Sequence, residues 1–253
     1  MSSIAIASIA FVCMFCGALL GAWFRRFLPG HHLTADSRDV VKLGAGLIAT
    51  QAALVLGLLV SSAKTSFDAT NEGLMHSGAR VIMLDEVLSR YGPESKDVRE
   101  LFRRTLTSAT ERVWPRNRTG VEGISVLEAS TEWTKMGDML RALTPQNESQ
   151  ASLKQQALGI ANDLAELRWL LIERADSSLP TTFLVVLVFW FTMLFATFGM
   201  LAPKNATVIA VLLVCALSVA GGLLLILEMS HPLAGLMKVS GAPLQKALDY
   251  MGR

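Results

Sequence analysis

Cys13 and Cys16 stand in a C-x-x-C spacing. In a redox or metal centre that spacing lets two sulfurs share one disulfide or one ion. Such pairs work because a neighbouring cation, a metal or a helix N-terminus favours the thiolate. Here both cysteines sit in an uncharged apolar run with no His or acid beside them, and Cys215 lies in another such run. Apolar filler is the better reading of all three. His31 and His32 are adjacent, so they cannot share one helical face, and no third ligand accompanies them. His76 is a lone histidine within a helical pattern. The phosphate-binding G-x-x-x-x-G-K-[ST], the zinc-binding H-E-x-x-H and the nucleophile-elbow G-x-S-x-G are all absent. The sequence therefore predicts no catalytic residue, no metal site, no cofactor and no enzyme. A net charge of +2, with no stripe of Arg and aromatics, gives no basis for binding nucleic acid.

The distribution of charge is more informative than its sum. The chain has 23 Lys and Arg and 21 Asp and Glu, yet four stretches contain none: Met1 to Phe24, Leu43 to Ala63, Ser177 to Pro203 and Asn205 to Leu227. Each is long enough for a helix to cross roughly 30 Å of hydrocarbon at about 1.5 Å per residue. The expected partner is therefore a lipid bilayer. The first run lacks a basic leader, and Arg25 and Arg26 follow it, which is the reverse of a cleaved signal. It reads as a retained helix from Ser3 to Phe24. Gly17 and Gly21, with Ala18 and Ala22, give that helix a small-residue face suited to close packing. The second crossing is expected at Leu43 to Ala63, the third at Thr182 to Leu201 and the fourth at Ala206 to Leu227. Pro203, Lys204 and Asn205 form the tight turn of a terminal hairpin.

Between the second and third crossings the chain turns polar but stays helical. Lys64 to Thr181 carries fifteen basic and seventeen acidic residues. Leu74, Val81, Leu84 and Leu88 continue a helical stripe until Gly92 and Pro93 stop it. A helix over Glu94 to Trp114 has Val98, Leu101, Phe102, Thr105 and Leu106 inward. Pro115 to Gly120 is a basic break. Helices follow over Val121 to Leu143 and from Asn147 to about Asp176, with Trp169 off the inner stripe of the latter. Pro180 closes the segment. The expected class is an all-α membrane protein: four transmembrane helices with a soluble amphipathic helical domain inserted between helices two and three. The boundaries are 1–63 for the first two crossings, 64–181 for the soluble domain, 182–227 for the hairpin and 228–253 for an amphipathic tail.

Two stretches carry a resemblance. Leu59-Val60-Ser61-Ser62-Ala63-Lys64-Thr65-Ser66-Phe67-Asp68, followed by Val81-Ile82-Met83-Leu84-Asp85 and Tyr91-Gly92-Pro93-Glu94, is similar to a bacterial bestrophin-like membrane-protein family. So is Leu227-Glu228-Met229-Ser230-His231-Pro232-Leu233-Ala234-Gly235-Leu236, with Ala242-Pro243-Leu244. Asp85, Tyr91, Gly92, Pro93, Glu228, Pro232 and Gly235 are the motif residues. More distantly, the organisation resembles bestrophin anion channels, which are pentamers with four crossings, a cytosolic helical domain between helices two and three, and cytosolic termini. Val55-Leu56-Gly57 stands where some bestrophins have a similar triplet in the pore-lining second helix. Thr70 and Asn71 replace their Arg-Trp pair, Leu233 stands where Phe is expected, and no acidic calcium-binding run follows Gly235. Calcium activation is therefore not implied.

The resemblance implies a homo-oligomer, a pentamer in bestrophins, conducting chloride or other small anions across the bacterial inner (plasma) membrane. The alternative is a non-conducting membrane scaffold or regulatory protein, which fits the missing motifs. In the channel reading, the second helix lines the pore through one stripe. Stepping by four gives Thr50, Leu54 and Leu58, with Ser61 or Ser62 near the exit and Lys64 at the headgroup level. Leu54 and Leu58 would form apolar collars that exclude water when narrow. Gly57 would permit close contact between neighbours, and Leu47 and Leu59 are expected to lie off the stripe.

The Lys and Arg flanking the crossings are nearly balanced between the two sides, so charge does not choose the orientation. The resemblance puts the termini and residues 64–181 in the cytoplasm. With the three native cysteines replaced by Ala, a Ser149→Cys chain should resist an impermeant thiol reagent in intact cells and react after lysis. Labelling of intact cells would reverse the assignment.

Overall fold

The structure is a computed structural model that describes residues 2–27, 34–114, 126–176, 181–203, 205–233 and 235–252. His31, His32, the break at 115–120, Pro180, Lys204 and Ala234 lie outside the described residues. The described residues form an all-α chain: α1 (Ser3–Phe24), α2 (Ala35–Tyr91), a 3-10 turn (Pro93–Ser95), α3 (Lys96–Val113), α4 (Val126–Ala142), α5 (Glu148–Asp176), α6 (Thr181–Leu201), α7 (Ala206–Met229) and α8 (Ala242–Met251). Four of these helices, α1, α2, α6 and α7, are long and apolar enough to cross a membrane. The soluble helical region is inserted between the second and third of them.

The second helix runs to Tyr91, as its stripe predicts, but starts earlier than expected. It is one continuous α-helix of 57 residues. It begins at Ala35, eight residues before the apolar run. Thr34 supplies the reason: its hydroxyl accepts from the Ser37 N–H at 3.3 Å, and Asp36 places a carboxylate in the first turn. The charged residues just before the apolar run are thus helical surface, where Lys42 pairs with Asp39 at 2.9 Å. At its other end Gly92 takes φ +124, a conformation glycine adopts without a Cβ penalty, and Pro93 opens the 3-10 turn.

The chain divides into two compact units. The first, Met1–Phe67 with Ser177–Lys238, holds α1, α6, α7 and residues 35–67 of α2. Its core is made by Ala10, Met14 and Ala18 of α1, Leu59 and Ala63 of α2, Leu184, Leu187 and Phe195 of α6, and Ala216, Ala220, Leu223 and Ile226 of α7. Where α1 meets α6 the backbones touch. A Cβ on Gly21 would lie 1.9 Å from the Ala196 carbonyl oxygen, and one on Gly199 would lie 1.9 Å from that of Ala18. Gly17 faces Thr192 in the same crossing, at 3.0 Å. Lipid tails are as apolar as leucine, so dispersion contact between closely approaching backbones has to hold such helices together.

The second unit, Asp68–Asp176 with Val239–Arg253, has a core of the globular kind. Phe102 is fully enclosed among Val81, Leu84, Leu88, Leu106, Met136, Leu140, Ile160, Leu164 and Ala247. Phe102 meets the edge of Trp133 at 5.9 Å. Arg80 of α2 pairs with Asp163 of α5 at 3.1 Å. The C-terminal segment is tied in twice: the Trp114 Nε1–H donates to the Val239 carbonyl at 2.9 Å, and Gly78 lies so close to Pro243 that a Cβ would come within 2.9 Å of its carbonyl oxygen.

Gly21→Ala should force α1 and α6 apart and cost roughly 1–3 kcal/mol, as overpacking does. Gly57→Ala should not destabilise the protomer, because nothing lies within 4 Å of a Cβ there and alanine favours the helix. Thermal unfolding in detergent distinguishes the two, and equal melting temperatures for both variants would contradict the close crossing.

Candidate functional site: the open face of α2 and the cap of α7

Within the first unit, α2 has one face in the core and one face open. Ala45, Ala52, Leu59 and Ala63 recur at seven, seven and four, which keeps them on one side of a helix with 3.6 residues per turn, and all four are buried. The opposite side carries Thr50, Leu54, Leu58, Ser61 and Lys64, all exposed. Leu54 and Leu58 are 66% and 63% exposed, so in the single chain neither leucine is core. Gly57 is on this open side, as is Gly46 about three turns earlier, and neither meets a neighbour within 4 Å. Its close contact, expected with a neighbouring copy, therefore has no counterpart within the protomer.

The comparison positions behave differently from each other. Leu59 points into the core, as an off-stripe residue should. Leu47 is 64% exposed and shares the open face with Leu54, because seven residues are nearly two whole turns. Thr50 needs no partner across the face, since its hydroxyl donates back to the Gly46 carbonyl at 2.9 Å.

The motif residues of the second unit build a corner. Asp85, itself buried, accepts a two-pronged bond from Arg99, Nε to Oδ1 at 2.8 Å and Nη2 to Oδ2 at 3.0 Å. The hydrogen bond that Arg99 donates to Asp85 raises its guanidinium above the ordinary pKa, so the cation is fixed. Tyr91 is buried, and its carbonyl accepts from the Gln150 amide at 2.9 Å. Ser95 closes the corner by donating to the carbonyls of Leu88 and Gly92, at 2.5 and 2.8 Å. Ser95 and Gln150 escape sequence reasoning because their partners are main-chain groups. Here Asp85, Tyr91, Gly92 and Pro93 orient helices.

Glu228 occupies the last turn of α7, where the helix dipole disfavours an anion, and it is buried. Its compensation is a returning turn. The N–H groups of Leu236 and Met237 both donate to Oε2, the latter at 3.3 Å. Gly235 makes the approach possible: it holds φ +89, and a Cβ would lie 2.4 Å from that same oxygen. Pro232 is fully buried beneath, and His231 Nδ1 contacts the Leu227 carbonyl at 3.0 Å. The signal available in the sequence is an acid ending an apolar run, with glycine seven residues later.

Cys13 and Cys16 are free thiols on α1, and Cys215 is a free thiol on α7. Trp169 is half-exposed on α5 with the Arg168 guanidinium 5.1 Å from its ring.

Gly235→Ala and Glu228→Gln should each lower thermal stability, by roughly 1–3 kcal/mol, through backbone strain in the first and weakened hydrogen bonds in the second. The double variant should lose less than the sum, because both changes break one contact. Additive losses would show that the two residues act separately.

Residues 12–244 match the family described as Bestrophin-like domain. No curated protein and no solved structure matches the chain.

Proposed function

The chain belongs to the bestrophin-like domain family, and from that premise we propose that it is a homo-oligomeric anion channel of the bacterial inner membrane, lined by α2. The observation that carries this reading is the open face of α2. One side of a membrane-spanning helix is packed by its own chain, while the other presents Thr50, Leu54, Leu58, Ser61 and Lys64 in register along its length. In a symmetric ring each of these side chains recurs once per subunit. Leu54 and Leu58 then form stacked apolar collars that pass ions only when wide enough to stay wet. Thr50 and Ser61 offer hydroxyls on either side of the collars. Lys64 supplies a ring of positive charge at one mouth, which raises the local concentration of small anions such as chloride. Gly46 and Gly57, bare on the same side, allow neighbouring helices to approach. The family resemblance favours five subunits, with the termini and the inserted helical region in the cytoplasm.

The test is chloride flux from liposomes holding the purified full-length protein. Leu54→Ala with Leu58→Ala should raise flux severalfold by widening the collars without adding charge. Leu47 and Leu59 do not serve as the control pair, since one shares the open face and the other fills the core. Val214→Ala with Leu217→Ala, on the exposed side of α7, is the better comparison and should leave flux unchanged. Lys64→Glu should reduce flux more than Lys64→Gln at low salt. Liposomes that stay tight to chloride, bromide and nitrate, with folding and assembly verified, would leave a non-conducting scaffold as the reading.

A further inference from the structure

A cavity of about 430 Å³ opens between α1, α6 and α7, away from the α2 face. Its walls are apolar, with Phe15 and Leu19 from α1 and Ile209 and Leu212 from α7. Trp23 and Arg26 join the lining at the end of α1. The depth of these residues is informative. Arg26 follows the last residue of α1 by two positions, so it stands where the helix leaves the hydrocarbon. Phe15 lies nine residues before Phe24, about 13 Å deeper at 1.5 Å per residue. The cavity is thus greasy at depth and cationic at the boundary, with an amphipathic indole at the level where membrane proteins favour one.

That gradient matches an amphiphile lying parallel to the helices. Arg26 is exposed and forms no ion pair with a described residue, so its charge is available to a ligand. Arg25 next to it is already committed, its guanidinium donating to the Ala202 carbonyl, and that bond fixes the end of α1 against the end of α6. A neutral ligand would leave the Arg26 cation unused. A water-soluble anion would leave the apolar depth unfilled.

We propose that this cavity is a lipid site: one acyl chain of an anionic phospholipid occupies the space between α1 and α7, with its phosphate against Arg26. The site stands apart from the channel reading and does not depend on it, since no residue of α2 lines it.

The test uses the full-length chain in nanodiscs containing phosphatidylglycerol or phosphatidylcholine, each carrying a photoreactive group near the end of one acyl chain. Labelled peptides are located by mass spectrometry. The phosphatidylglycerol probe should label the α1 segment around Phe15 and Leu19 and the α7 segment around Ile209 and Leu212. It should do so about fivefold more than the phosphatidylcholine probe, the factor expected from one interfacial cation. Arg26→Gln should bring phosphatidylglycerol labelling down to the phosphatidylcholine level, and Arg26→Lys should retain the excess. Ala22→Trp, which fills the cavity from its wall, should remove labelling by both probes; if that variant does not fold, the Arg26 series decides alone. Equal labelling by the two lipids, an excess untouched by Arg26→Gln, or cross-links from this groove to a second copy of the chain would each overturn the proposal.

Discussion

Hydrocarbon offers an unpaired peptide group nothing to bond to, and every polar atom that crosses it must find a partner within the chain. That constraint reaches past the backbone into the side chains of this protein. Thr50, Thr192 and Thr197 each donate to the carbonyl four residues earlier, at 2.9, 2.7 and 2.9 Å. A hydroxyl can therefore sit on a membrane helix without a cross-helix partner. Glu228, a carboxylate in the last turn of a span, receives two main-chain N–H groups from a turn that only glycine can make so tight. The three threonine hydroxyls are thus held locally, without a bond to another helix.

The two units meet the demand for cohesion in different ways. In the membrane unit the decisive positions are the smallest, Gly17, Gly21 and Gly199, because they let main chains touch. In the inserted unit water supplies the driving force, and the decisive positions are large: Phe102, Leu84, Leu88 and Leu140 exclude it. In the Asp85–Arg99 pair the carboxylate is buried and the guanidinium is partly exposed, so the pair adds little net stability, but removing Arg99 would strand the Asp85 charge. Its contribution is therefore to fix how α3 leaves the corner at Gly92.

The four spans were legible because a run of about twenty uncharged residues has few other uses. The inserted region was legible as helical because apolar residues kept stepping by three and four. The start of α2 was hidden, since charges on an exposed helical turn look like charges in a loop, and only the cap at Thr34 separates them. The open face of α2 was read by stepping in fours from Thr50. That rule drifts against a period of 3.6, so it passed over Leu47. The role of Glu228 was out of reach for another reason: its partners are peptide N–H groups, which every residue but proline carries. Motif resemblance found Asp85, Glu228 and Gly235 as letters, and the structure gives them contacts. The cavity beside Arg26 needed three helices in place before it existed at all.

The crossing of α1 on α6 has a consequence for how the protein is made. Gly21 must wait for Ala196, a separation of 175 residues read from the two numbers. At a synthesis rate of about 5–20 residues per second, the first helix spends roughly 10–35 s in the bilayer before its partner emerges. Throughout that interval its glycine face is open to any other membrane helix with small residues in register. The stretch of chain made in the meantime is mostly the inserted unit, which can fold in water while α1 waits. Biogenesis therefore has a vulnerable window set by gene order, and a chaperone or a fast-translating message would act on it without altering a single contact in the finished protein.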